Sequence, residues 1–385
     1  MTKNKLRFPA FLSHWEISEY MQGIDLLVVG SGIVGLTTAI FFKRQNPTAK
    51  VTVVERGTLP SGASTKNAGF ACFGSLSELL SDLESNSIDE VFELVSNRLD
   101  GLDELRKLVG DNQLSFNPCG GFELFSETDS ALFEKCLEFL PEANSRMKHL
   151  KSLKSTYSVV SDKIGQFGFN HTQHLIVNQH EGSINTGKMM RDLIDIARNL
   201  EIDILYGLGV TDWVEYENSV KVVINDSIEI AAGKLHVATN GFAKKLLPEA
   251  DVNPARAQVL ITEPIENLQV KGTFHLDAGF YYFRNVGDRI LLGGGRNLDI
   301  DGETNSELEI TNLIQSKLDE LLSTVILPNH QVTIEHRWAG IMGVGSTKKP
   351  IIKRLSDRVS CSVRLGGMGV ALGTSIGKQS AELIG

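Results

Sequence analysis

Residues 25–55 read DLLVVGSGIVGLTTAIFFKRQNPTAKVTVVE. Leu26 to Val29 is an apolar run without polar alternation, the pattern of a parallel strand covered on both faces. Gly30, Gly32 and Gly35 then complete a G-x-G-x-x-G. Leu36 to Arg44 has helical spacing, and Val51 to Val54 is a second buried strand ending in Glu55. Glu55 lies 20 residues beyond Gly35 (55 − 35), the separation expected of the acidic residue in a dinucleotide-binding βαβ unit. Gly30 permits the tight turn, Gly32 lets the backbone approach a pyrophosphate, and Gly35 lets helix and strand pack closely. The amides of the first helical turn, at Ile33 and Val34, then face the phosphates. Glu55 accepts the hydroxyls of an adenosine ribose and repels a 2′-phosphate.

Around this unit the chain has 385 residues, room for two or three domains. The net charge of −9 and the lack of a basic run argue against a nucleic-acid partner. No stretch of about 18 apolar residues suggests a transmembrane segment. The first 21 residues carry neither an apolar signal core nor a small-residue cleavage site, so a cytoplasmic protein is expected. Cys72, Cys119, Cys136 and Cys361 are widely spaced, which points to neither a zinc site nor a disulfide framework. His171 and His174 have a ligand-like spacing, but their surroundings are not helical and no metal is expected.

Further along, Arg56 to Phe70 is a long loop of small residues, and such loops inside a compact domain are usually functional. Ala63, Ser64, Lys66, Asn67, Ala68 and Gly69 are its candidate contacts. Leu235 to Ala238 reads as the return to the dinucleotide sheet, separate from a strand at Ile228–Ala231. Val210 is placed against an adenine, and Ala238, Thr239, Asn240 and Gly241 beside the ribose and pyrophosphate. Phe280 to Gly295 is a hairpin turning at Gly287-Asp288, part of a second, antiparallel sheet. Near the end, Val359–Leu365, a loop with Gly367, Met368, Gly369 and Val370, and a final helix repeat the order strand, glycine loop, helix.

Taken together, GSGIVG with Glu55-Arg56, GASTKNAGF, GLGV, VATNGFA, YYFR…RILLGGGR and GGMGVALG resemble the D-amino-acid oxidase family of FAD-dependent oxidoreductases, which includes glycine, sarcosine and γ-glutamylputrescine oxidases. The likeness spans nearly the whole chain. It implies an α/β fold: a Rossmann-like FAD-binding domain and a discontinuous α+β substrate domain built on an antiparallel sheet. The expected division is 20–76, 155–248 and 337–385 for FAD, 77–154 and 249–336 for substrate, and 1–19 as an N-terminal extension. FAD is expected to be non-covalent, since the segment used for attachment in sarcosine oxidases has no cysteine here. Gly340 is counted with the cofactor contacts. The 367–370 loop and its helix N-terminus are expected at the flavin N1–C2=O2 edge, where reduction builds negative charge.

The resemblance implies oxidation of the C–N bond of a small amine or amino acid, with hydride passing to flavin N5 and the imine hydrolysing. Alternation along the hairpin favours Tyr282 and Arg284 as pocket-facing, against the reading that all four residues 281–284 are sheet packing. Met342 stands where amino-acid oxidases of the family place a carboxylate-clamping arginine, so Arg284, Arg296 or Arg337 must substitute if the substrate is a simple amino acid. No lysine replaces Leu291, where sarcosine oxidases carry the one that promotes reaction with oxygen. Lys66 or Lys348 could substitute, and the electron acceptor is left open. His336 is the nearest candidate base, and Trp338 is either pocket wall or core. The alternatives are a 2-hydroxy-acid or polyol-phosphate dehydrogenase on the same fold, an NAD-dependent dehydrogenase, and a flavin-binding scaffold or RNA-modification module, the RNA version opposed by the acidity of the chain.

Overall fold

The computed structural model describes residues 8–385, so the first seven residues of the expected N-terminal extension lie outside the described residues. The first sheet starts with β1 (Ile24–Val29), crosses through helix α1 (Ile33–Gln45) and returns in parallel as β2 (Val51–Glu55). A loop with one helical turn, α2 (Ala63–Lys66), leads to helices α3 (Leu76–Leu83) and α4 (Ile88–Val109). The strand Asp203–Tyr206 pairs in parallel with β2, and β3 (Ile228–Val237) pairs in parallel with β1. Leu26 and Val28 belong to one buried cluster, Leu27 and Val29 to the other. Both faces of β1 are therefore covered, which is why its sequence shows no alternation.

β3 differs from expectation. It is one continuous strand rather than two, because its first half pairs with Ser219–Ile224 while its second half enters the parallel sheet.

The second sheet is built from β4 (Asn253–Thr262), β5 (Thr273–Leu276), β6 (Tyr281–Val286), β7 (Arg289–Gly294) and β8 (Ile334–Val344), in the order β8-β4-β7-β6-β5. Strands Gly121–Phe125, His174–Asn178 and Tyr157–Val159 extend it beyond β5. Two details depart from the expected plan. The β5 pairing with Gly121–Phe125 is parallel, so the sheet is mixed. The strands between 157 and 178, and all of β8, pair here rather than in the first sheet.

The chain returns through β9 (Val359–Val363), parallel to β3, and ends in helix α5 (Gly369–Ile384). α5 packs against α1 and α4 at glycines. A Cβ on Gly377 would sit 1.9 Å from Thr37 Oγ1, and one on Gly101 of α4 would sit 1.9 Å from the Ala371 carbonyl. These contacts draw the start of α5 to the start of α1.

Candidate active site

A single cavity of about 1010 Å³ opens where β1, β2 and β3 end at their carboxyl edge, and it continues across to the second sheet. This is where ligands bind in open parallel sheets. All of the expected nucleotide contacts line it except Gly35. Gly35 has the packing role instead: a Cβ there would stand 1.9 Å from the Gly30 carbonyl. Gly30 itself has φ +104°, open to glycine and strained for other residues.

The cradle is held by side chains that point away from the opening or along its rim. Glu55 Oε2 accepts from the Ser31 amide (3.1 Å) and hydroxyl (2.9 Å), and Oε1 accepts from the Gly57 amide at 3.0 Å. Ser64 Oγ accepts from the Ile33 amide at 3.0 Å, joining the small-residue loop to α1. Asn67 accepts from the Gly69 amide and donates to the Ala63 and Ser64 carbonyls, so its side chain orders that loop. Asn240 Oδ1 accepts from the Arg364 amide at 3.0 Å, tying the end of β3 to the C-terminal loop. The Arg56 guanidinium lies 3.7 Å over the Phe242 ring at the rim. Thr239 Oγ1 is buried beside the cavity without a protein partner.

Two long helices begin at this cavity, α1 at Gly32 and α5 at Met368, and neither N-cap residue supplies a side-chain cap. By contrast α3 and α4 start on complete capping boxes at Ser75 and Ser87. The Ile33 amide, expected to face a phosphate, is taken by Ser64, but the remaining free amides and the positive ends of two helix dipoles converge on the same space, an arrangement that receives phosphate and other negative charge.

On the second sheet, Tyr281 and Phe283 join the apolar cluster that packs on the helix Asn312–Leu321. Tyr282 faces the other way, into the cavity, and burial pushes its hydroxyl up to about 12. Met342 also lines the cavity, close to Gly367. Two expected residues do not. Arg284 shares the Tyr282 face but lies two residues further along the strand, beneath Gly69, with Nη2 donating to the Ile184 carbonyl at 3.0 Å. Burial lowers its guanidinium to about 10. His336 is exposed and stacks on Trp338 with centroids 5.8 Å apart, outside the cavity. Arg337 is bound by Asp319 and Gln315. Trp338 packs beside a small apolar cluster of Ala68, Val259 and Leu291.

The chamber next to Tyr282 contains residues that the sequence reading missed, Phe70, Glu78, Arg98 and His275, together with Cys72, Arg296, Lys66 and Lys348, which it names. His275 is the cross-strand partner of Tyr282 and stands edge-on to Phe70 at 5.0 Å. Burial lowers its imidazole below the usual range, partly opposed by Glu78, so it is neutral at pH 7. Burial would raise Glu78, but the charge of His275 when protonated, the Ser75 amide, Arg98 and Lys348 outweigh it and hold the carboxyl below its usual value. Glu78 Oε2 accepts from the Ser75 amide at 3.1 Å. Cys72 is held protonated by burial and by the Glu181 and Glu78 charges. His171 and His174 are remote from this chamber; His174 stacks flat on Phe133 at 3.9 Å. Among the described residues no helix is long and apolar enough to cross a membrane.

Residues 25–383 match the family described as DAO, FAD dependent oxidoreductase. The chain belongs to this family and is an FAD-dependent oxidoreductase. Among curated proteins it is similar to the bifunctional protein ThiO/ThiG of Synechocystis, 24% identical over 238 residues, or 61% of this chain and about a third (32%) of that protein's length. Among solved structures it is similar to L-proline dehydrogenase from P. horikoshii (17% identity, 94% of each chain, TM-score 0.74). It is also similar to glycine oxidase from Bacillus cereus (15%, 94% of each chain, 0.75) and iminodiacetate oxidase from Chelativorans (18%, 93% of this chain and 95% of that one, 0.74). At these identities the likeness is one of fold. The glycine turn, the two uncapped helix starts and the unpartnered Thr239 hydroxyl suit a cofactor with a pyrophosphate and a ribose.

Proposed function

We propose that the protein oxidises the C–N bond of a small amine or amino acid, with FAD held non-covalently along the first sheet. The observation that carries this reading is Glu78, an ionised carboxylate on the chamber wall whose Oε1 has no hydrogen-bond partner among the described residues. Such a group attracts a cationic amine more strongly than a neutral hydroxyl group. Relatives of the same fold described as glycine oxidase, L-proline dehydrogenase and iminodiacetate oxidase are consistent with it.

FAD supplies the two-electron oxidant. Residues around Gly30–Val34 and Glu55, the 63–69 loop, 238–241 and 367–370 would hold it. The chain's own residues then act on the substrate. Glu78 orients the incoming ammonium, and neutral His275 accepts its proton at a ring nitrogen, so that the amine lone pair becomes available. Tyr282 fixes the substrate against the sheet, and Phe70 and Met342 keep water from that side. As part of the same reading the first sheet and its helices form the cofactor-binding unit and the second sheet the substrate unit. Either O2 or another acceptor accepts the electrons afterwards.

A second reading, a 2-hydroxy-acid dehydrogenase, is favoured by one feature, the same neutral His275, which could take a hydroxyl proton. Anaerobic mixing of the yellow holoenzyme with a panel of amines, amino acids and 2-hydroxy acids decides between them. Bleaching of the flavin band by an amino compound supports C–N oxidation; bleaching by a hydroxy acid alone refutes it. Acid precipitation should leave the flavin in the supernatant.

A further inference from the structure

We propose that Arg98 is the carboxylate anchor of the substrate chamber, so that the substrate is an amino acid rather than an amine lacking an acid group. The inference rests on the C–N reading above and narrows it.

Arg98 lies on the buried stripe of α4, between Val95 and Leu102, and is only 3% exposed. It nevertheless lines the chamber. Nη1 donates to the Phe73 carbonyl at 2.9 Å, Nε has no partner, and among the described residues no carboxylate pairs with it. A buried guanidinium that feels the Glu78 charge but makes no direct ion pair is incompletely compensated, and a ligand anion at the cavity wall would relieve that cost. Its planar fork also suits a carboxylate.

Of the other cations nearby, Lys66 carries no planar fork, and Arg296, whose Nε likewise has no partner, is more exposed than Arg98. Arg337 is held by Asp319, Lys348 pairs with Asp82 at 2.5 Å, and Arg284 lies outside the cavity. Arg296 lines the cavity but is partly exposed, with Nη2 on the Thr304 hydroxyl at 3.1 Å. Met342 cannot bind an acid. Arg98 and Glu78 share one wall without pairing with each other, which leaves a positive and a negative group free to receive the two ends of a zwitterion.

The test uses the holoenzyme and benzoate as a carboxylate probe, with binding followed by the visible flavin band and by calorimetry. Arg98→Met should weaken benzoate binding by roughly 10- to 100-fold, the loss of a charge-assisted pair, and Arg98→Lys should recover part of it. Flavin content and thermal midpoint identify any misfolded variant. If Arg98→Met does not fold, weakened binding in flavin-replete Arg98→Lys serves instead. In anaerobic reduction, matched pairs such as proline with pyrrolidine, or N-methylglycine with dimethylamine, should bleach the flavin only through the acid-bearing member. Unchanged benzoate affinity in the folded Arg98 variants, or a loss confined to Arg296→Met, overturns the proposal. Equal reduction by the acid-free amines overturns it while leaving C–N oxidation standing. Reduction by a 2-hydroxy acid alone removes both.

Discussion

The indole N–H of Trp338, on β8 of the second sheet, donates to the carbonyl of Lys66 in the cofactor loop at 2.9 Å. This bond fastens the loop of one sheet to a strand of the other, directly beside Gly340, where a Cβ would come within 3.0 Å of the Lys66 side chain. Trp338→Phe keeps the ring and removes the donor. It should raise the dissociation constant for FAD about fivefold, the worth of about 1 kcal/mol for one such bond. Reconstitution of the apoprotein, followed by quenching of flavin fluorescence, measures it.

The crossing of α4 and α5 depends on Gly101, whose added Cβ would meet a backbone carbonyl and not a movable side chain. Gly101→Ala should therefore destabilise the protein by roughly 2–3 kcal/mol through overpacking. Gly165, in the helical turn Ile164–Phe167, has nothing within 4 Å of the same added atom. Gly165→Ala should be neutral or stabilising by up to about 1 kcal/mol. Chemical denaturation of the two variants gives the comparison, and similar losses in both would refute the packing argument.

Tyr282 and Tyr281 are neighbours on one strand that face opposite ways, toward the cavity and toward the apolar cluster. Among the described residues nothing hydrogen-bonds to the hydroxyl of Tyr282, which lines the cavity. Tyr282→Phe should lower kcat/KM about tenfold, equivalent to roughly 1.4 kcal/mol of lost transition-state binding. Tyr281→Phe should leave the rate ratio near that of the parent. Steady-state kinetics on the same substrate checks both.

Beneath the chamber, Glu123 and Glu181 are both raised to about 7, chiefly by burial. Ser77 and Ser75 donate to Glu123, and the Phe73 and Gly74 amides donate to Glu181 at 2.8 and 3.0 Å. For an acid raised above its unfolded value, the folded state holds more protons between the two values. The associated stability is complete below about pH 4.5 and is lost as pH rises through about 7. Unfolding free energy should thus fall between pH 5 and pH 8 by roughly 2–3 kcal/mol per group at most. Glu123→Gln should flatten that slope. A parent protein equally stable at both pH values would contradict it.

The βαβ unit was legible because its signals are local: two doubly buried strands, three glycines and an acid at fixed spacing. The hairpin at Gly287 and the loop before α5 are local as well. What escaped was set by distance along the chain. Arg284 has the correct parity on its strand but sits about 6.8 Å beyond Tyr282, past the edge of the cavity. His336 is close in sequence to Gly340, yet the start of β8 runs to the exposed edge. Glu78 was concealed by its capping box with Ser75, a complete explanation for that residue in sequence terms. His275 required the strand pairing with Tyr282 to be known. Arg98 did leave a trace, as a charge between Val95 and Leu102 on the apolar stripe of α4. The parallel pairing of β5 with residues 121–125 joins segments about 150 apart, beyond any reading by periodicity.

The bare starts of α1 and α5 make the durability of the protein depend on nutrition. Without its nucleotide the chain leaves backbone donors at two helix starts facing one hollow, with only the Ile33 amide taken by Ser64; the bound cofactor would engage the rest. Binding adds about 2.7 kcal/mol to folding when free cofactor stands a hundredfold above its dissociation constant. Cells short of riboflavin would thus carry less of this protein, because the empty form unfolds more often and is cleared.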